Sequence, residues 1–218
     1  MSLIFDLGSA ISRLTKGRPL LIVDADEVLL RFVEGFDRFL ERQSLFLDLT
    51  SYRLHGNVKR RDDMTAVLDV EVTALLDDFR RDLDSLEFVA GAKESLQVLA
   101  TRLDIVVLTN ISPAQAEARR RNLMGFDLDL PLVANTGLKG VAVNALSANA
   151  GRPSFFVDDI PQHLASAAQQ APDVTRIHLI GDDRLKPLLP PAAHADFCAG
   201  NWEDAAKFID EKLSVSGF

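Results

Sequence analysis

Apolar positions along this chain follow two periods, and the change between them divides it. Leu3, Ile4, Leu7, Ile11 and Leu14 recur at helical spacing, which predicts an amphipathic helix over residues 2–15. Gly17-Arg18-Pro19 breaks it. LLIV (residues 20–23) is a short run of apolar side chains flanked by breakers, the pattern of a buried strand. Over residues 31–88 charged residues interleave with Phe and Leu, as in FVEGFDRFLERQ and VEVTALLDDFRRDL, a helical period without strong strand signals. SYRLHGNVKRRDD, between those stretches, reads as a polar connection. From residue 92 helices and strands alternate. AKESLQVLATRL, PAQAEARRRNLMG, VAVNALSANAG, PQHLASAAQQA and WEDAAKFIDEKL read as helices; DIVVLTN, LPLVA, SFFVDD, TRIHLIGDD and DFCAG read as strands. Apolar strands alternating with helices imply an α/β fold, a parallel sheet with helices on both faces. Residues 1–30 and 89–218 then form the core, and residues 31–88 a small α-helical cap inserted after the first strand.

With 218 residues, 47% of them hydrophobic, the chain can bury one sizeable core with a small appendage. A formal net charge of −8 repels polyanions, so neither nucleic acid nor an anionic membrane is an expected partner. No apolar run approaches the ~20 residues of a membrane span. Asp6 near the N-terminus does not suit a signal peptide, and the expected location is cytoplasmic. Cys198 is the sole cysteine, which excludes an internal disulfide and a cysteine metal site; it is expected as a small buried or half-buried apolar residue.

Three of the apolar strands end in polar groups. LLIV runs into Asp24-Ala25-Asp26, DIVVL into Thr109-Asn110, and SFFV into Asp158-Asp159. Singly, each has an ordinary use. An Asp at a strand end turns the chain or caps a helix, Ser112-Pro113 opens a helix, and a lone lysine such as Lys139 is solvated. Their joint occurrence, in order, points further, because ligands of open parallel sheets bind beyond the carboxyl ends of the strands. Four carboxylates in one crevice repel one another, and a hard divalent cation with oxygen ligands, magnesium above all, relieves that repulsion. Lys139, between the second and third of these strand ends, adds positive charge, and the whole suits a phosphate dianion. RIHLIGDD offers a second acidic pair, Asp182-Asp183. The earlier pair is favoured because the helix PQHLASAAQQA returns the chain from it, whereas DRLKPLLPP is loop-like.

These residues resemble the haloacid dehalogenase (HAD) superfamily of hydrolases over roughly residues 19–210. LLIVDADEVLL is similar to the family's first motif, an apolar strand followed by Asp-x-Asp-x-Thr/Val-Leu. VVLTN, Lys139 in GLKG, and SFFVDD are similar to the second, third and fourth. The resemblance implies a Rossmann-like core with a helical cap at residues 31–88, and magnesium-dependent hydrolysis of a small phosphorylated metabolite. It implies that Asp24 is the nucleophile and forms a phospho-aspartate, that Asp26 is the acid and then the base, and that Thr109, Asn110 and Lys139 contact the substrate. It also implies magnesium held by the Asp24 carboxylate, the Asp26 backbone carbonyl and Asp158, with Asp159 a weaker or outer ligand.

Asp26 favours phosphate esters over haloacids, since displacing halide needs no acid. Glu27 departs from the family's usual small or polar residue and is expected to add bulk and charge beside the site. The same scaffold also accommodates a phosphomutase, a phosphonate or haloacid hydrolase, and a non-catalytic phosphate-binding member. For the phosphonate reaction, Lys59 is the cap lysine that would form a Schiff base. Otherwise Arg53, His55, Lys59, Arg60 and Arg61 read as a solvated stretch, Phe32, Phe36 and Phe39 as cap core, and His163 as a helix residue.

Overall fold

In the computed structural model, residues 3–81 and 83–218 are described; Ser2 and Asp82, which fall within two of the predicted helices, lie outside them. In chain order the elements are β1 (Ile4–Phe5), α1 (Leu7–Ser12), β2 (Leu20–Val23), α2 (Phe32–Glu41), β3 (Leu45–Leu47), β4 (Val58–Arg60), α3 (Asp69–Phe79) and α4 (Ala92–Leu99). They continue as β5 (Asp104–Asn110), α5 (Pro113–Leu123), β6 (Leu132–Asn135), α6 (Gly140–Ser147), β7 (Ser154–Asp158), α7 (Pro161–Gln170), β8 (Thr175–Leu179), β9 (Phe197–Ala199) and α8 (Trp202–Val215). Among the described residues one sheet has the order β1-β6-β5-β2-β7-β8-β9, and only the edge pair β1–β6 is antiparallel. This is the expected Rossmann-like parallel sheet.

The alternation of side chains along a strand sorts the apolar runs onto two faces. Leu20 and Ile22 join Val106, Leu108, Val133 and Phe156 under α1, α6 and α7. Leu21 and Val23 join Val107, Phe155, Val157 and Ile177 under α4, α5 and α8. LLIV is buried on both faces because β2 is the middle strand, and each such side chain contributes ~1.5–3 kcal/mol by leaving water. Trp202 of α8 is fully buried, and its indole N–H donates to Val28 O at 2.7 Å, tying the C-terminal helix to the loop after β2.

Two segments depart from the sequence reading. The predicted helix at 2–15 begins only at Leu7, after Asp6 with φ 65°, and Ile4–Phe5 instead pairs with β6. Without it β6 would be an open edge whose backbone groups lack partners, a requirement invisible to local periodicity. Within the insertion, Leu45–Leu47 and Val58–Arg60 form an antiparallel pair, so the segment predicted as two helical stretches with a polar connection is α2, a two-stranded ribbon and α3. The predicted polar connection, residues 51–63, contains β4 as well as most of the loop that joins it to β3. The two ends of the insertion pair with each other, since Val89 N–H donates to Leu29 O and Arg31 N–H to Glu87 O, both at 2.9 Å. Phe32, Phe36 and Phe39 gather round Phe79 as the expected apolar core, and that core is continuous with the α4/α5/α8 face of the sheet.

Cys198 is exposed rather than buried: it lies on β9, the last strand of the sheet, which has a neighbour on one side only. Among the described residues, no helix is long and apolar enough to cross a membrane.

Candidate active site

The centre of the site is the end of β2, between β5 and β7. Asp24 N–H donates to Val157 O at 3.0 Å, which carries the ladder one residue past β2 and brings Asp24 beside the last residue of β7. Ala25 N–H then donates to Asp24 Oδ1 at 2.7 Å. On β7, Asp158 Oδ1 accepts from Ile160 N–H at 2.8 Å, which fixes that carboxylate as the chain turns towards α7. Lys139 stands at the start of α6, where Gly140 N–H donates to Ser166 Oγ of α7 at 3.1 Å. From there the fully buried lysine reaches Asp24 Oδ2 at 2.7 Å and Asp158 Oδ2 at 2.8 Å. Asp24, Asp158 and Asp159 are all buried, and one carboxylate oxygen from each lies within 4.8 Å of the others. Thr109, buried at the end of β5, has a hydroxyl with no hydrogen-bond partner among the described residues.

Charge is unbalanced here. Three carboxylates against one ammonium leave a formal −2 when all are ionised. Burial pushes Asp158 up to about 7 against the pull of Lys139, and burial with Asp158 and Asp24 alongside pushes Asp159 well above the usual carboxylate range. Burial alone would lower Lys139, but Asp158 and Asp24 outweigh it and keep the ammonium charged. Asp159 Oδ1 is buried without a partner among the described residues. An all-oxygen donor set with excess negative charge and an unused buried oxygen fits a hard divalent cation.

Asp26 does not join this group. Its carboxylate pairs with Arg119 of α5, a fully buried arginine whose Nε and Nη1 have no partners among the described residues. Burial raises Asp26 while Arg119 opposes the shift. Asn110 is likewise turned aside: its Nδ2 donates to Gly137 O at 3.0 Å and its Oδ1 accepts from Asn135 Nδ2 at 2.8 Å. Its side chain thus braces the loop that delivers Lys139. Asp182 and Asp183 follow β8, one strand beyond β7, and pair with Arg184 and Lys186, so the acidic pair next to Asp24 is Asp158-Asp159.

Glu27 behaves differently from expectation. Its Oε1 accepts from Val33 N–H at 2.6 Å, so its bulk serves the first turn of α2. Lys59 pairs with Asp48, Arg60 with Glu71 and Arg61 with Glu41, as a solvated stretch does. His163 lies in α7 as expected; it is buried 3.4 Å from Asn110 Nδ2, and burial, then Lys139, lowers it to about 4. Ser112 precedes α5 with Pro113 behind it, and Gln115 Oε1 accepts from Ser112 N–H at 2.9 Å. Sequence reasoning missed Arg119, Asn135 and Tyr52. Tyr52, in the β3–β4 loop, donates its hydroxyl to Asp159 Oδ2. None of the three is signalled by a motif, because each matters through a residue far along the chain.

No family model matches the chain, and no curated protein matches it in sequence. Its likeness to solved structures is one of fold, and the fold is that of the HAD-superfamily hydrolases, which the four motifs imply. A conserved HAD-like protein of unknown function from Agrobacterium tumefaciens is similar with a TM-score of 0.59 at 14% identity, over 89% of this chain and 99% of that one. A HAD-family hydrolase from Deinococcus radiodurans, solved with bound phosphate and sodium, is similar with a TM-score of 0.58 at 16% identity, over 91% and 98%. A phosphonoacetaldehyde hydrolase-like protein from Oleispira antarctica has a TM-score of 0.54 at 12% identity, over 94% and 96%.

Proposed function

We propose that this chain is a magnesium-dependent phosphohydrolase for a small-molecule phosphate monoester, with residues 31–88 as the cap over its site. The observation that carries this reading is Lys139 held between Asp24 and Asp158, with the Thr109 hydroxyl, which has no partner among the described residues, at the end of the neighbouring strand β5. A nucleophilic carboxylate, a fixed cation and a hydroxyl donor are the groups that a transferring phosphoryl group requires. The phosphate bound to the Deinococcus protein of the same fold supports the same substrate class.

In this reading an Asp24 oxygen attacks phosphorus, the bond from phosphorus to the ester oxygen breaks, and Asp26 delivers a proton to the leaving alkoxide. Asp26 then takes a proton from water, which attacks the phospho-aspartate and frees phosphate and Asp24. Burial raises Asp26, which suits a group that must hold a proton and then accept one. Thr109 and Lys139 hold the phosphoryl oxygens, and Asn110 keeps the lysine loop in place. Asp24, Asp158 and Asp159, with the Asp26 carbonyl, would hold magnesium, which neutralises the developing phosphoryl charge when bound. A Schiff-base role for Lys59 is disfavoured by its 2.5 Å pair with Asp48, which engages the amine within its own ribbon.

The test is phosphate release from a panel of phosphorylated metabolites. Wild-type protein is expected to release phosphate only with magnesium, and both EDTA and Asp24→Asn are expected to abolish release. Release that survives Asp24→Asn would remove Asp24 as nucleophile. A wild type that binds phosphate but turns over no ester would make the chain a phosphate-binding member of the fold.

A further inference from the structure

The Tyr52 hydroxyl joins the insertion to the acid group. Tyr52 lies in the loop between β3 and β4, which is braced from within. Buried Asn57 donates from Nδ2 to Ser51 O at 2.7 Å and to Arg53 O at 2.5 Å, and its Oδ1 accepts from Thr50 Oγ1 at 2.9 Å. Asp48 N–H donates to Asn57 O at 2.8 Å, closing the base of the loop. On this platform the Tyr52 hydroxyl donates to Asp159 Oδ2, 107 residues away in sequence. The other Asp159 oxygen has no partner among the described residues, and the backbone carbonyl of Asp159 accepts from His178 Nε2 at 2.8 Å. The backbone of Asp159 is therefore held by the sheet, while its carboxylate is oriented by the insertion.

Carboxylates that ligate a cation are usually aimed by an outer hydrogen-bond donor, and losing that donor typically costs 10–100-fold in metal affinity. We propose that Tyr52 is the positioning residue for Asp159, and that it couples cation binding at the Asp24–Asp158–Asp159 group to docking of the 48–57 loop. The inference rests on the cation reading above and deepens it. Coupling between two binding equilibria is reciprocal. A docked loop tightens the cation site, and a bound cation holds the loop by the same factor.

Two measurements on the full chain test this. Tyr52→Phe keeps the ring and removes only the hydroxyl; its Mn2+ dissociation constant, read by EPR, is expected to rise about 10- to 100-fold over wild type. In wild type, Mg2+ is expected to slow amide exchange across residues 48–57, and in Tyr52→Phe to slow it little. An unchanged dissociation constant in folded Tyr52→Phe overturns the coupling and leaves the cation reading intact. So does exchange that ignores Mg2+ in a wild type that binds it, a result that needs no variant to fold. A wild type that binds no Mn2+ overturns both.

Discussion

Glu27 joins the acid loop to the insertion, and its burial makes stability depend on pH. The residue has φ 57°; its N–H donates to Leu30 O at 2.9 Å and its carbonyl accepts from Gly181 N–H at 2.5 Å. A left-handed non-glycine backbone costs about 1 kcal/mol, which these bonds and the link to Val33 N–H offset. Burial pushes the carboxyl from its ordinary 4.5 up to about 8. Between those values the folded chain binds more protons than the unfolded one, so stability falls as pH rises through that window, by at most about 4–5 kcal/mol. Glu27→Gln keeps an acceptor for Val33 and removes the charge. Urea unfolding without divalent cations at pH 5.5, 7 and 8.5 should show a clearly shallower decline for Glu27→Gln than for wild type. Asp158, raised in the same direction, contributes equally to both chains and drops out of the difference. Parallel declines would mean that Glu27 is ionised in the fold at no cost.

At the scale of elements, what was legible in the sequence is what is contiguous in it. Asp24 directly follows β2, while Thr109 and Asp158 lie in the last residues of β5 and β7, so the apolar run and the chemical group are read together. Arg119 matters through Asp26, 93 residues away, and β1 exists only because β6 needs an edge partner. The ribbon β3–β4 was illegible because its strands are three residues each and too short to set a period. Glycines show the same contrast between local and non-local demands. A Cβ at Gly8 in α1 would meet, among the described residues, nothing within 4 Å beyond its chain neighbours and its own helix backbone, so Gly8→Ala should stabilise the protein by about 0.4–1 kcal/mol. At Gly140 a Cβ would fall 2.3 Å from Ser166 O, where α6 starts against α7. Gly140→Ala should therefore cost about 1–3 kcal/mol in urea unfolding and, by tilting the start of α6, carry Lys139 off Asp24 and Asp158. A Gly140→Ala protein with wild-type phosphate release would show that the lysine does not depend on that close approach.

Over the whole molecule, the insertion and the sheet share one apolar core, running from Phe32 and Phe36 through Leu86 and Val89 to Ala92, Leu96 and Trp202. A segment whose core is continuous with its neighbour's has no separate interior to keep when that neighbour melts, so the two should unfold together although the chain exceeds the usual two-state size. The chain holds one tryptophan and one tyrosine, and they report on different parts. Trp202 is buried on α8 beneath the acid loop, and Tyr52 sits on the β3–β4 loop against Asp159. Denaturant curves followed by Trp202 fluorescence and by Tyr52 absorbance should coincide. Magnesium at about 100 times its dissociation constant should move both curves together by about 2.7 kcal/mol, or roughly 5–10 °C in Tm for a chain of this length, and EDTA should reverse the shift. A Tyr52 transition that came first would show that residues 31–88 melt alone. A magnesium shift confined to Trp202 would show that the cation is bound without the insertion's help, whatever the shared core.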